Sequence, residues 1–392
     1  MQKKFFVFIT LIILLINISY FKLVLGTTFI VLLESSLYII SLPFLIHLSF
    51  KHSGKNEWMY IFVMSAGLIF HSIINEIQEL NLRDSFQWIF LVVLIILSHR
   101  NKSPQIILKI LLLFFIVHCT LAIIENKTKT NFLNFRFVEG YSVYTDSKDF
   151  RAFGLMEHPL QSANVTLIIM SFIMISKEIK WKLKIILLTI GTLAILSFNA
   201  RIAIIICFCL LIYRYILYNL KPIYIICLGV IIYTLFISDI SLFLQQNNNI
   251  FGRLAEKNNL TDSSSLARIM SYVYFWDAGW NIQDILIGGR IIYMPGTNYS
   301  LENGILLTIS WWGWIVGLAK VILELIISYK CLNKYNTKDK WMIMIACWGT
   351  AFANNNSLYT FVFAFFIISF IGFDSLTNLK NNKSFYYLKN FK

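Results

Sequence analysis

Charge is scarce in this chain: of 392 residues only 14% are Asp, Glu, Lys or Arg, too few to coat a soluble globule of this size. Proline and glycine are also few, at five and 17, which excludes a collagen-like or low-complexity polymer. There is no CxxC pair and no Cys/His cluster at metal-ligand spacing. Apolar side chains fill the chain instead: 58% of residues are hydrophobic and the mean hydropathy is +0.69. Soluble enzyme, secreted disulfide scaffold and nucleic-acid binder are excluded together. The composition predicts an all-α polytopic transmembrane bundle, with residues 1–392 forming a single integral membrane domain.

A helix needs about 20 mainly apolar residues to cross the hydrocarbon. Twelve stretches qualify, near 5–22, 28–50, 57–74, 86–99, 105–124, 160–176, 183–199, 202–219, 222–238, 301–328, 341–356 and 358–376. The first resembles a signal peptide, but no small-x-small cleavage site follows it, so an uncleaved anchor is expected. With both termini in the cytoplasm, the loops on that side hold 20 cations against four acids, namely Glu57, Glu178, Asp339 and Asp374. The opposite side holds 12 cations and 14 acids, so the net charge of +14 is a positive-inside signature and leaves nothing to assign to nucleic acid. All six cysteines fall in spans or at their cytoplasmic ends, and none lies in an external loop. Lys320 and Glu324, one helical turn apart inside a span, are expected to neutralise each other.

Two external loops are long, 125–159 and 239–300, and loops of that length in a compact protein carry function or are disordered. In the second, the run from Leu266 to Ile282 places Ile269, Val273, Trp276 and Trp280 on one helical stripe. Arg268, Tyr272, Phe275 and Gly279 form an adjacent one. With N-cap candidates from Asp262 to Ser265, this predicts an amphipathic helix against the outer membrane face.

The external arginines come from separate segments: Arg151 in RAFGLMEHP, Arg201 in the tight turn SFNARIA, Arg268 on the loop helix. Guanidinium groups stay charged and fork onto phosphate oxygens, so a cluster of them suits a diphosphate at the lipid–water boundary. Taken singly, each also suits snorkelling to headgroups or pairing with an acid, such as Asp146 or Asp149 for Arg151. Arg201 departs most from that reading, because its turn offers no acidic neighbour. Glu302 opens the tenth span, where a carboxylate either caps the helix or acts as a base, and Asn303 beside it supplies an amide. Trp311, Trp312 and Trp314 suit helix packing or an interface belt, and sugar stacking is the alternative. His158, next to Pro159, suits a structural role or a substrate contact.

The order RAFGLMEHP and SANVTL, then SFNARIA, then a long loop with ARIMSYVYFWDAGW and IGG, then ENGILLTISWWGWIVG resembles the O-antigen polymerase/ligase family of bacterial membrane glycosyltransferases over residues 151–318. The resemblance implies a GT-C-like helical fold in the bacterial inner membrane. It implies undecaprenyl-diphosphate-linked oligosaccharide substrates on the periplasmic side, and neither cofactor nor metal. It places Arg201 and Arg268 on the donor diphosphate with Arg151 beside them; Glu302, from its own position and chemistry, is the third catalytic candidate, as the base for the acceptor hydroxyl. His158, Asn303 and Arg290, which follows IGG, are the remaining substrate-binding candidates. Ligases of the family carry His-Asn where this chain has Glu-Asn, which favours a polymerase. A lipid diphosphate is already a good leaving group, so the enzyme's tasks are to offset developing charge and orient a hydroxyl. Membrane lipids and a chain-length regulator are the other expected partners. Glycan ligation to lipid A core or protein is the same-class alternative, and a secondary transporter or lipid-sugar flippase using Glu34, Lys109, Lys320 and Glu324 is the alternative of another class.

Overall fold

The computed structural model describes residues 87–94, 105–132, 150–156, 158–218, 263–286, 301, 303–350 and 362–374, together with isolated positions; for 263–269 it describes the backbone only. All regular structure among these residues is helical. The predicted spans at 57–74 and 222–238, Glu34, and most of both long loops lie outside the described residues.

Nine helices, beside a buried helical stretch at 87–94, carry the described architecture. Helix α1 (Gln105–Thr128) is apolar along most of its length, but its two faces differ in environment. Leu108, Leu111, Phe115, Cys119 and Ala122, three and four residues apart, are buried, while Ile106, Leu113, Val117 and Ile124 point outward. Helix α2 (Pro159–Ile175) is buried nearly all round, as a helix without a polar face must be. It is the centre of the bundle, packed against α3 (Trp181–Phe198), α4 (Arg201–Ile212) and α8 (Thr337–Trp348). Helix α4 runs on as a π-helical turn, Tyr213–Leu217. Among the described residues α1 and α3 are long and apolar enough to cross a membrane, and α2 and α9 (Val362–Asp374) are shorter apolar helices.

The remaining elements form a second, smaller assembly. Helix α5 (Ser263–Trp276) and the one-turn α6 (Ile282–Leu286) dock on α7 (Gly304–Cys331), enclosing Phe275, Ile292, Leu301, Leu306 and Ile309. The loop helix therefore exists, but it starts at Ser263 and ends at Trp276, so Trp280 is not on its stripe. Trp280 lies beyond a turn through Gly279 (φ 63°), and its indole N–H donates to the Phe275 carbonyl at 2.8 Å.

The largest correction concerns 301–328, expected as one continuous span. Helix α7 is broken at Gly313, whose φ of 77° and ψ of 164° are outside the helical region. A Cβ on Gly317 would lie 2.7 Å from the Thr308 carbonyl oxygen, nine residues earlier, so the two halves fold back on each other. Residues 304–312 cover only about 13 Å at 1.5 Å per residue, too short to cross a hydrocarbon core of about 30 Å. Residues 314–331 form the longer half. On it the Lys320 ammonium meets the Glu324 carboxylate at 2.7 Å, both buried, as the spacing predicts. The first loop also starts later than expected: α1 continues to Thr128 and holds Glu125 inside the protein.

Candidate functional site

The segment that carries Arg151 is irregular and buried, so its backbone donors need partners inside the protein. Glu125, fully buried near the end of α1, accepts two of them. Its Oε2 accepts the N–H of Phe153 at 2.7 Å and of Gly154 at 2.9 Å, and its Oε1 accepts that of Phe132 at 3.3 Å. One helical stripe earlier, His118 Nδ1 accepts the Leu155 N–H at 2.9 Å, while Nε2 faces the Ser162 carbonyl at 3.5 Å. That pattern assigns the ring proton to Nε2. The imidazole is stacked between Phe114 and Phe198 at 5.5 and 5.3 Å. Ser162 Oγ donates to the Phe153 carbonyl at 2.5 Å, closing the cradle from the α2 side.

This cradle fixes where Arg151 stands. The next residue, Ala152, donates its N–H to the Ser197 carbonyl at 3.1 Å, so the segment lies against the end of α3. Helix α3 then closes through Asn199 in the left-handed region (φ 51°, ψ 41°), a conformation Asn tolerates well, and after Ala200 the chain enters α4 with Arg201. The predicted tight turn is thus present, and Arg151 (7% exposed) and Arg201 (partly buried) belong to segments joined by backbone. Ala200 makes no side-chain cap, so the first-turn N–H groups of α4 present the positive end of that helix beside Arg201.

His158 caps α2: its Nδ1 accepts the Leu160 N–H at 3.2 Å, with Pro159 at the first helical position. Burial pulls its pKa from the usual 6.5 down to about 4. Between those values the unfolded chain takes up a proton that the folded protein refuses, so stability falls as pH drops from 6.5 towards 4. Thermal unfolding of His158→Asn, which keeps a capping oxygen but cannot titrate, should show a shallower fall than wild type across that range. Parallel curves would exclude His158 as the source.

On the smaller assembly, Asn303 caps α7: its Oδ1 accepts the N–H groups of Ile305 and Leu306, both at 3.0 Å. The capping role open to Glu302 is therefore filled by its neighbour, and Glu302 itself, like Arg290, lies outside the described residues. Asn303 is buried, and its Nδ2 donates to the Tyr272 hydroxyl at 2.8 Å. Tyr272 is four residues after Arg268, one turn along α5, so this bond sets the Arg268 turn of the backbone near the start of α7. The side chain of Arg268 lies outside the described residues.

Two glycines and a set of aromatic rings hold α5 there. Gly288, the first glycine of IGG, has φ 72°, and a Cβ on it would lie 2.1 Å from the Gly313 nitrogen. The loop backbone thus packs on the break in α7. Trp314, just past that break, meets Phe275, Trp276 and Trp280 with ring centroids 5.3 to 5.7 Å apart, so the tryptophan packs helices as expected.

The described contacts therefore set two pairs of segments together, the Arg151 segment beside the Arg201 turn and the Arg268 turn of α5 near Asn303. Ile305 packs on both the main core and the smaller cluster, so the two assemblies meet at the start of α7. Among the described residues no three His, Cys, Asp or Glu side chains group as metal ligands. Glu125 and His118 carry no sequence signal that marks them, and Tyr272 stands out only as a member of the stripe it shares with Arg268. An acid and an imidazole late in an apolar helix do not name their partners. No family model, curated protein or solved structure matches the chain.

Proposed function

We propose that the chain is a twelve-span membrane glycosyltransferase of the O-antigen polymerase type. It moves a growing glycan from undecaprenyl diphosphate to a lipid-linked repeat unit at the outer face of the bacterial inner membrane. The observation that carries the reading is the Ala152 to Ser197 backbone bond, which sets the Arg151 segment against the Arg201 turn. Two guanidinium-bearing segments beside an uncapped helix start supply the positive field that a departing diphosphate needs. A membrane setting is supported by an inverted distribution on α7, where Lys320 and Glu324 are buried while Ile315, Ile322 and Ile326 are exposed. In that topology residues 314–331 are the tenth span, and 304–312 are a half-helix that does not cross.

In this mechanism Arg151, Arg201 and Arg268 offset charge on the leaving diphosphate as its bond to the anomeric carbon breaks. Glu302 takes the proton of the acceptor hydroxyl whose oxygen forms the new bond, and Asn303 is placed to hold a substrate-facing loop rigid. His158 and Arg290 are the remaining candidate sugar or phosphate contacts. Arg201→Ala, Arg268→Ala and Glu302→Gln should each abolish chain lengthening in cells while the protein stays folded at wild-type abundance. Unchanged glycan ladders from all three would end the proposal. Lengthening by purified protein on lipid-linked repeat units alone separates a polymerase from an obligate ligase.

The transporter reading draws on the broken helix, a device by which transporters build midplane sites. Here the break is filled by the Gly288 backbone, and Lys320 and Glu324 are paired with each other, while Lys109 is exposed on α1. These contacts favour the enzyme.

A further inference from the structure

The end of the bundle opposite Arg201 carries a second cationic site beside an apolar groove. Helix α3 has 18 residues, so its two ends stand about 27 Å apart at 1.5 Å per residue. Along its outer side and that of α4 runs an open groove of about 350 Å³, lined by Trp181, Ile185, Thr189, Thr192, Leu211 and Tyr215. That volume falls in the roughly 300–1,000 Å³ range of small-molecule sites. Trp181 and Tyr215 meet edge to face at 5.8 Å and close the groove where α3 begins.

Charge gathers at that closed end. Lys180 and Lys182, both exposed, flank Trp181. Arg214 precedes Tyr215, with its guanidinium 4.5 Å from the Tyr218 ring and 2.8 Å from the Asp339 carboxylate. Lys338 donates to the Tyr218 carbonyl at 2.7 Å. Lys184 is buried there too, donating to the Met174 and Ser176 carbonyls. Five cations thus face two acids, Asp339 and the exposed Glu178. An aromatic pair between an apolar channel and an excess of Lys and Arg matches the chemistry of a phospholipid, with its chain in the groove and its phosphate among the cations.

We propose that this groove binds one anionic phospholipid of the leaflet opposite the glycan-transfer face, with its acyl chain along Ile185 to Thr192 and its phosphate held by Lys180 and Lys182. The site rests on the membrane reading above but not on the chemistry of transfer. Arg214 keeps its bond to Asp339 and adds long-range charge, while the two exposed lysines discriminate between headgroups. The consequence is a protein whose stability depends on anionic lipid content, through groups far from Arg151 and Arg201.

The test uses the full-length protein in detergent, with unfolding followed as phosphatidylglycerol or phosphatidylcholine of matched chains is added. Phosphatidylglycerol should raise the Tm by several degrees more than phosphatidylcholine. The difference should vanish in K180E/K182E, which removes the headgroup contacts, and both lipids should lose their effect in Thr189→Trp, which fills the groove from an exposed position. Equal shifts with the two lipids, or a full phosphatidylglycerol shift in Thr189→Trp, would overturn the site while leaving the membrane reading intact. Recovery of the chain in the soluble fraction after carbonate washing would overturn both.

Discussion

Gly288→Ala should detach the loop helices from α7, lowering stability by about 2–5 kcal/mol and abolishing chain lengthening. Its backbone has φ 72°, and the added Cβ would lie 2.1 Å from the Gly313 nitrogen and 2.6 Å from the Trp312 carbonyl carbon. Both obstacles are backbone, so no side chain can rotate away. Gly313 has little room to retreat, because its own φ of 77° and ψ of 164° hold the break on which the two halves of α7 turn. The matched control is Gly279→Ala, with nearly the same φ of 63° but nothing within 4 Å of its Cβ. It pays only the backbone strain, about 1 kcal/mol. Tryptophan emission reads the difference, since Trp280 and Trp314 pack together half-buried and would be exposed by detachment. If the two variants show the same Tm and emission, the close approach of IGG to the α7 break is not what anchors α5.

That contrast marks where sequence reading reaches its end. Helices α1, α3 and α9 were legible because long apolar runs have few alternatives, and the α3–α4 turn because SFNARIA interrupts two such runs with polar residues. The break in α7 was not legible: WWGW sits within an uninterrupted apolar stretch, and one glycine in a helical pattern does not by itself signal a reversal. The backbone that packs on Gly313 comes from Gly288, 25 residues earlier, and nothing in the local sequence pairs the two glycines. The same holds for the site. Arg151 and Arg201 stand out by residue type, whereas Glu125, which orders the Arg151 segment, is 28 residues before its Phe153 partner and 29 before Gly154, and its position resembles any acid at a helix end. Residue chemistry announces charge to be used; it does not announce the groups that hold the backbone of its neighbours.

Glu125→Ala should therefore imitate Arg151→Ala in function although Glu125 is placed to touch no substrate. Removing the carboxylate leaves the Phe153 and Gly154 N–H groups without an acceptor in a buried segment, and each such donor costs about 1–3 kcal/mol. A combined loss of about 3 kcal/mol is expected, concentrated on residues 152–155 and not spread through the bundle. Glu125→Gln separates geometry from charge: its amide oxygen can replace Oε2 and keep both short bonds, while its NH₂ would face the weaker Phe132 donor. Amide exchange at 152–155 should rank wild type slowest, Gln intermediate and Ala fastest, with chain lengthening falling in the same order. Because the carboxylate acts by setting Arg151 against the Arg201 turn, adding Glu125→Ala to Arg151→Ala should reduce lengthening little further. A full additional loss would mean that Glu125 serves the reaction by another route, and unchanged exchange at 152–155 in Glu125→Ala would mean that the cradle is held by His118 and Ser162 alone.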